Sequence, residues 1–396
     1  MQGAFWHVSC YNILHQNKKD IMEGIMKVKT LGFPVIHNYP GDIREFTPNL
    51  FKYLEKFTHL EYYLEEGYGE RLGYTKEDYT AVNTRIHFVP LEEVYKQDMI
   101  AILKNPDLKN LELMRDGASL FSMIHYDSRP AAVELITRKK IQSFSMDAIV
   151  DDYGIRTFVD YFGTAFSGCE IAFAELKKRK KDFHSTERGP IKVTIVGAGG
   201  VGQNAVKSFE VLSDKEFLGT EYTGVVSSVL TRTITGNEAA LKEIFSTTDI
   251  LVDASKRFDY SQHIISNKML GYLPEDAIIL DLSADRYVDS EPRMVRAFEG
   301  TVKGTPSEKV LLPDNKAYDE LPAWVDSTNR RVVVSCDAWP SVDPHKSIAV
   351  YELLMKNFFN VLLAKEDLDD VSIESDDTFE RGLARSTITY FLENYK

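Results

Sequence analysis

The stretch Lys192-Val-Thr-Ile-Val-Gly197-Ala-Gly199-Gly200-Val201-Gly202-Gln-Asn-Ala205 carries the most explicit chemistry in the sequence. A run rich in β-branched residues leads directly into Gly-x-Gly-x-x-Gly, and a proline-free, helix-compatible segment, Gln203 to Val211, follows. That order is strand, tight turn, helix. Gly197 would allow the turn, Gly199 would let the backbone approach a pyrophosphate, and Gly202 would let the helix pack closely on the strand. Gly200 and Val201 would then offer the first helical amides to the phosphates. Glycines also punctuate ordinary loops, so the triplet is informative because a buried-type strand runs straight into it. The predicted ligand is a dinucleotide.

A second group of residues follows from where strands should end. The next strand, Thr223 to Val229, runs into Leu230-Thr231-Arg232-Thr233, where a dinucleotide fold usually places an acidic residue for the adenosine ribose. Glu221 precedes that strand, at its other end. Thr231 and Arg232 suit a ribose 2′-phosphate, which leans the cofactor from NAD towards NADP; the plain alternative is an exposed Arg after a strand. Further on, Asp276 to Asp281 reads as a strand ending in Leu282-Ser283-Ala284-Asp285-Arg286. Ligands in open α/β sheets sit beyond the carboxyl ends of strands, so Ser283 and Asp285 are placed to meet cofactor or substrate. Asp285 could equally be a turn residue or helix cap.

These residues need two sheets to hold them. At 396 residues the chain exceeds one ordinary core, and 43% hydrophobic residues are enough for two. Strands are expected at Thr30–Ile36, Glu61–Leu64, Arg85–Val89, Met99–Leu103, Leu120–Ile124 and Ile141–Ser145, with helices between them. Thr47-Pro48 opens one helix as N-cap and first residue, and Tyr74 to Tyr79 is a capped helical turn. A helical patch covers Lys18 to Lys29. A long helix, Thr157 to Lys181, ends in the basic run Lys177 to Lys181, read as a solvated helix end. After the glycine loop come helices at Gly236–Phe245 and Gln262–Leu270 and strands at Thr248–Asp253 and Arg331–Ser335. A long helix at about Lys346–Lys365, an exposed acidic stretch at 366–377 and a final helix, Thr378 to Tyr395, close the chain. The fold class is therefore α/β: two Rossmann-like doubly wound domains with a cleft between them. Residues 1–165 with 340–396 form the substrate domain and 166–339 the dinucleotide-binding domain.

Charge and composition exclude other classes. A net charge of −13 argues against nucleic acid or an anionic membrane as the main partner. Cys10, Cys169 and Cys336 stand at unrelated spacings and suggest neither disulfides nor a metal site. No signal-like start and no long apolar run occurs, so a cytoplasmic protein is expected.

The order of features over roughly residues 30 to 365 resembles the alanine dehydrogenase and pyridine nucleotide transhydrogenase superfamily, which includes lysine-forming saccharopine dehydrogenase. Leu31-Gly-Phe-Pro34, then Arg44 and Thr47-Pro48, is similar to the family's opening. Gly73 to Tyr79 is similar to its Gly-Phe-x-x-Glu-Asp-Tyr segment, and Lys268-Met-Leu through Asp285 to its Met-Leu, strand, Asp block. The resemblance implies a substrate site built from Arg44, from Lys104 in Leu103-Lys-Asn-Pro106, from His125 in Ile124-His-Tyr126, and from Asp285. Tyr153 to Gly168 and Asp337 to Ser347 are similar to the saccharopine branch, whereas the glycine loop is of the alanine dehydrogenase kind. There are departures: Arg44 lies four residues before Pro48 where the family has five, and Val35-Ile36 replaces its Lys-Glu.

What the resemblance implies is hydride transfer between a nicotinamide and the α-carbon of an amino acid through an imine. Arg44 and Lys104 would hold a carboxylate or carbonyl, and His125 would move a proton near neutrality, a role Lys104 could also take. The substrates would be an amino acid and a keto acid, in either an ammonia-using or a saccharopine- or opine-like reaction. A homo-oligomer is expected. Two readings compete: a non-catalytic dinucleotide-binding regulatory protein on the same fold, and a transhydrogenase subunit.

Overall fold

The computed structural model describes residues 28–37, 41–257, 259–289 and 293–394. The chain divides into two compact units, Met1–Val159 with Ile348–Lys396, and Asp160–Ser347. In the first unit six strands form one sheet: β1 (Thr30–Phe33), β2 (Glu61–Glu65), β3 (Ile86–Val89), β4 (Met99–Ile102), β5 (Ser119–Ser122) and β6 (Gln142–Ser145). Their order is β3-β2-β1-β4-β5-β6 and each pairing is parallel. The chain thus winds outward from β1 to β3, then resumes on the other side of β1 with β4. That reversal puts the topological switch point at the carboxyl ends of β1 and β4, where such sheets open a crevice.

Every residue of β4, β5 and β6 is buried, which explains why these strands read as continuous apolar or small-residue runs rather than alternating ones. On one face of the sheet Phe33, Phe51, Tyr68 and Tyr79 meet edge to face, with ring centroids 4.9 Å apart for Phe33 and Phe51 and 5.4 Å for Phe51 and Tyr79. The Tyr79 hydroxyl donates to the Phe46 carbonyl, so this buried phenol is satisfied. Helix Pro48–Leu54 starts as expected, with the Thr47 side chain accepting from the Asn49 N–H and Pro48 in its first turn. Thr75 and Asp78 form a reciprocal capping box at the head of helix Lys76–Val82.

The second unit holds β7 (Ile191–Val196), β8 (Val225–Leu230), β9 (Ile250–Asp253), β10 (Ile278–Asp281), β11 (Val310–Leu311) and β12 (Val332–Ser335), in the order β11-β12-β10-β9-β7-β8. Only β11 among them is antiparallel to its neighbour. The switch point here lies between β7 and β9. Helix Gly200–Phe217 follows β7 and packs beside helix Tyr161–Arg179. The basic run ending that second helix is taken up by carboxylates: Lys177 pairs with Glu216, Arg179 with Glu175, and Lys180 with Asp249 and Asp276.

Several elements differ from expectation. The segment 262–266 is not helical, because Ile264 and Ile265 both donate to the Ala297 carbonyl and Ile265 bridges Phe298; the helix is only Asn267–Leu270. The long helix begins at Tyr161 rather than Thr157, since Asp160 caps it through the Gly163 N–H at 2.8 Å. The last helix is two, Thr378–Arg385 and Ile388–Asn394, broken where the Ser386 carbonyl accepts from Ser145 and Thr387 bridges Phe144. The acidic stretch is not wholly exposed, for Leu368 enters the core of the first unit. Short β11 had no periodic signal to reveal it. The expected patch Lys18 to Lys29 lies, apart from Val28 and Lys29, outside the described residues.

The helix Pro344–Leu362 leads back into the first unit, where Phe358 and Phe359 meet Phe121 on β5 with ring centroids 6.4 and 5.9 Å away. Phe121→Ala should therefore lower stability by about 3–5 kcal/mol, the usual cost of emptying a buried aromatic site. Denaturant unfolding of Phe121→Ala, Phe359→Ala and the double variant checks this. Strictly additive losses would show that the returning helix does not share this core with β5.

Candidate functional site

The glycine turn at the end of β7 divides its tasks among the glycines. Gly197 has φ of +111°, and a Cβ there would lie 2.4 Å from the Ala254 carbonyl oxygen at the end of β9. A Cβ on Gly202 would lie 2.0 Å from the Gly197 carbonyl oxygen, so the helix reaches the strand only because that residue has no side chain. Gly200 leaves room for the Tyr161 ring, 2.6 Å from the position of its missing Cβ. Gly199 is different: no protein atom would lie within 4 Å of its Cβ, and as N-cap it brings no side chain to the helix amides. An open backbone at an uncapped helix start is the arrangement a pyrophosphate fits.

Beside this turn, a cavity of about 220 Å³ opens at the carboxyl ends of β9 and β10, lined by Val201, Ser255, Arg257, Tyr260, Ser283 and Asp285 among others. Asp285 pairs with Arg257 at 2.5 Å; burial raises its pKa and Arg257 offsets part of that rise. Arg257 has a 5% exposed side chain and also donates to the carbonyls of Gln262 and Val295. Ser255 and Arg257 were not anticipated, although the strand-end rule that singles out Asp285 after β10 applies equally to the residues after β9.

Two buried carboxylates stand behind this wall. Asp253 ends β9 and Asp281 ends β10, in register with each other. Asp281 is well satisfied, accepting from Arg296, from the Ser335 hydroxyl at 2.7 Å and from the Ala284 N–H at 2.9 Å. Burial works against its charge, yet these partners, Arg296 foremost, hold its pKa below the usual carboxylate range. Asp253 accepts from Ser255 at 2.6 Å and lies 2.8 Å from the Ser283 hydroxyl, with no cation bonded to it among the described residues. Burial, and then the neighbouring Asp281 charge, push its pKa up to about 7.

Thr231 and Arg232 follow β8, Thr231 standing at the head of the short helix Arg232–Thr235 with its hydroxyl 3.1 Å from that of Thr233; both residues are exposed. Glu221 lies ahead of β8, as its sequence position requires.

In the first unit the expected residues gather at the carboxyl edge of the sheet. The Lys104 Nζ, just past β4, donates to Asp42 Oδ2 at 2.7 Å, and Arg44 Nε pairs with Asp42 Oδ1 at 2.5 Å. Burial alone would raise the Asp42 pKa, but Arg44 and Lys104 together hold it at about 2. Arg44 and Lys104 are thus joined through a carboxylate that had drawn no attention in the sequence, at the switch point between β1 and β4. His125 lies past the end of β5, next to β4. Its backbone is in the left-handed region, φ +55°, fixed by an N–H donated to Asp147 Oδ1 at 3.1 Å. Its Nδ1 lies 3.3 Å from Asp147 Oδ2, so Asp147 orients the ring. Crowding by protein lowers the His125 pKa, Asp147 opposes this, and Arg156 and Arg129 add to the lowering. Close by in sequence after β1, His37 pairs with Glu65 at the end of β2, also unanticipated.

The architecture is that of a two-unit α/β protein with a dinucleotide-type turn in the second unit. Residues 46–159 match the family model described as the alanine dehydrogenase/PNT N-terminal domain. The alanine dehydrogenase of Methanococcus maripaludis is 21% identical over 242 residues, covering 57% of this chain and 64% of that protein. The NAD(P) transhydrogenase subunit alpha of Haemophilus influenzae is 21% identical over 336 residues, covering 74% of this chain and 58% of that protein. The matches therefore span less than two thirds of either curated relative. Among solved structures, an L-alanine dehydrogenase superposes with a TM-score of 0.61 at 14% identity, over 90% of this chain and 94% of that one. A transhydrogenase from Sinorhizobium meliloti does so at 0.61 and 13%, over 85% and 95%. The likeness to the alanine dehydrogenase and transhydrogenase proteins is thus present in sequence and in fold. Among the described residues, no helix is long and apolar enough to cross a membrane.

Two stability predictions follow from the second unit. Gly197→Ala should cost several kcal/mol, from a positive φ combined with a clash against backbone, whereas Gly199→Ala should melt within a few degrees of the parent. Asp253 binds its proton more tightly folded than unfolded, so stability falls as pH rises from about 4 through about 7 and stays low above. Asp253→Asn removes that loss and should be more stable than the parent at pH 8, on the order of 1–3 kcal/mol, with little difference at pH 4. Equal melting shifts at both pH values would refute the assignment.

Proposed function

We propose that the chain is an NAD(P)-dependent oxidoreductase acting on the C–N bond of an amino acid or its imine, through either oxidative deamination with ammonia as product or a saccharopine- or opine-like condensation. The observation that carries this reading is the presence of Lys104 and His125 at the carboxyl ends of adjacent parallel strands, within the segment that matches the alanine dehydrogenase/PNT model. The nicotinamide dinucleotide would supply and accept the hydride. Gly199, Gly200 and Val201 would hold its pyrophosphate, and Ser283 and Asp285 would line the cavity beside it. The first unit would be the substrate domain and the second the dinucleotide domain. Arg232 and Thr231 support a lean to NADP.

His125 donates its Nδ1–H to Asp147 in this reading, which leaves Nε2 as the acceptor, and a lowered pKa keeps the ring neutral at ordinary pH. Lys104 and Arg44 would bind a substrate carboxylate in exchange for Asp42. That exchange also supports a second reading: Asp42 already occupies both cations, as a binding protein that has lost its reaction would allow.

Absorbance of the reduced nicotinamide with NADPH and NADH, against keto acids with ammonia, lysine, ornithine and other amines, separates the two. Turnover with one combination is expected. Lys104→Met and His125→Asn should then lose roughly 10²–10⁴-fold in kcat/KM without weakening the dinucleotide. The base limb of the pH profile should fall below the ordinary histidine value, as the lowered pKa requires. Gly199→Ala should keep its fold and lose affinity for the dinucleotide. Tight dinucleotide binding with silence across the panel would favour the binding protein.

A further inference from the structure

The hydrogen-bond count at the ends of β9 and β10 does not close without an extra proton. Ser283 Oγ lies 2.8 Å from Asp253 Oδ2 and 3.0 Å from Asp281 Oδ1, and one hydroxyl has one proton to give. If both acids are ionised, one of these two contacts is oxygen against oxygen with nothing between. A proton on Asp253 resolves it: Asp253 donates to Ser283, and Ser283 donates to Asp281. Asp281 is the poorer candidate for that proton, because Arg296, Ser335 and the amides of Ser283 and Ala284 already serve its charge.

The surroundings point the same way. The Asp281 charge acts on Asp253 directly; beyond it lie Arg296 and the Asp285–Arg257 pair, Lys256 lines the same cavity, and β7 sets Val196 in register beside Asp253. Of the two buried guanidiniums here, Arg296 is bound to Asp281 and Arg257 to Asp285. Both serines that contact Asp253, Ser255 and Ser283, line the cavity, so the protonation state of a fully buried group is felt at the cavity wall through two hydroxyls.

We propose that Asp253 is a positioning residue of the dinucleotide cavity which holds a proton until a cationic nicotinamide ring enters, and then releases it to solvent. The inference rests on the dinucleotide reading above. A positive ring in a partly enclosed cavity favours the Asp253 carboxylate, which Ser255 and Ser283 then serve as donors; the uncharged, reduced ring gives no such advantage. Oxidised and reduced cofactor are thereby distinguished by pH rather than by contact.

The test is the affinity of oxidised and reduced cofactor from pH 5.5 to 8.5, with calorimetry at pH 7 in buffers of different ionisation enthalpy. The parent should bind the oxidised form more tightly as pH rises, approaching about tenfold per pH unit below the Asp253 titration and levelling above it. Calorimetry should detect proton release, and the reduced form should show neither effect. Asp253→Asn should flatten the oxidised curve. Ser283→Ala, which removes the shared hydroxyl and leaves both acids, should displace its midpoint and keeps the test open if the first variant does not fold. Intact binding with a flat oxidised curve in the parent, or an unchanged slope in Asp253→Asn, or an unchanged midpoint in Ser283→Ala, would overturn the proposal. Absence of dinucleotide binding at every pH would instead remove the dinucleotide reading, and this inference with it.

Discussion

The backbone of Gly197 passes the Ala254 carbonyl so closely that no side chain fits between them, and the carboxyl edge of the second sheet is arranged around that contact. It fixes where β7 and β9 part company. Gly202 then seats the helix on the Gly197 carbonyl, and the chain beyond Ala254 turns outward to carry Ser255 and Arg257 to the cavity wall. The first unit has the same winding but closes its switch point by charge instead. Asp42, buried between Arg44 and Lys104, ties the loop after β1 to the end of β4. One edge is held by the absence of side chains, the other by three charged ones.

The two ends of the second sheet are neutralised very differently. At the amino end Asp249 is surrounded by donors: Arg188, Lys180 and the backbone of Lys192. At the carboxyl end Arg296 serves Asp281 alone of the pair Asp253 and Asp281, and Ala284 is held in the left-handed region at φ +55° by its N–H to Asp281. His125 in the first unit shows the same device, a positive φ secured by Asp147. Two of the three positive-φ residues other than glycine among the described residues thus lie at carboxyl edges; the third, Lys140, is in the turn before β6.

Much of this was legible in the sequence because it is local. The glycine spacing after β7, the Thr47 and Thr75 caps and the parallel-sheet alternation all depend on neighbours within a few residues. The strand-end rule put Asp285 beyond β10, and the family resemblance singled out Lys104 and His125, which follow β4 and β5 in the structure. What escaped depends on which strands become neighbours. Asp42 matters because β4 lies beside β1, which joins residues 62 positions apart. The strand-end rule reaches Arg257 after β9, but its pairing with Asp285 shows only once β9 and β10 are adjacent. Asp253 read as the last residue of an apolar strand, and the upward push on its pKa comes from burial and then from the Asp281 charge alongside. The segment 262–266 had helical spacing, but hydrogen bonds to Ala297 overrode it.

The order of the chain has a consequence for synthesis. The second unit is contiguous and can complete its sheet once residue 347 has left the ribosome. The first unit cannot, since Phe121 waits for Phe358 and Phe359, and the edge of β6 waits for Thr387. Six strands therefore emerge early and remain without part of their core until residues 358 to 387 have been made. During that interval the N-terminal strands expose apolar surface that the returning helix later covers.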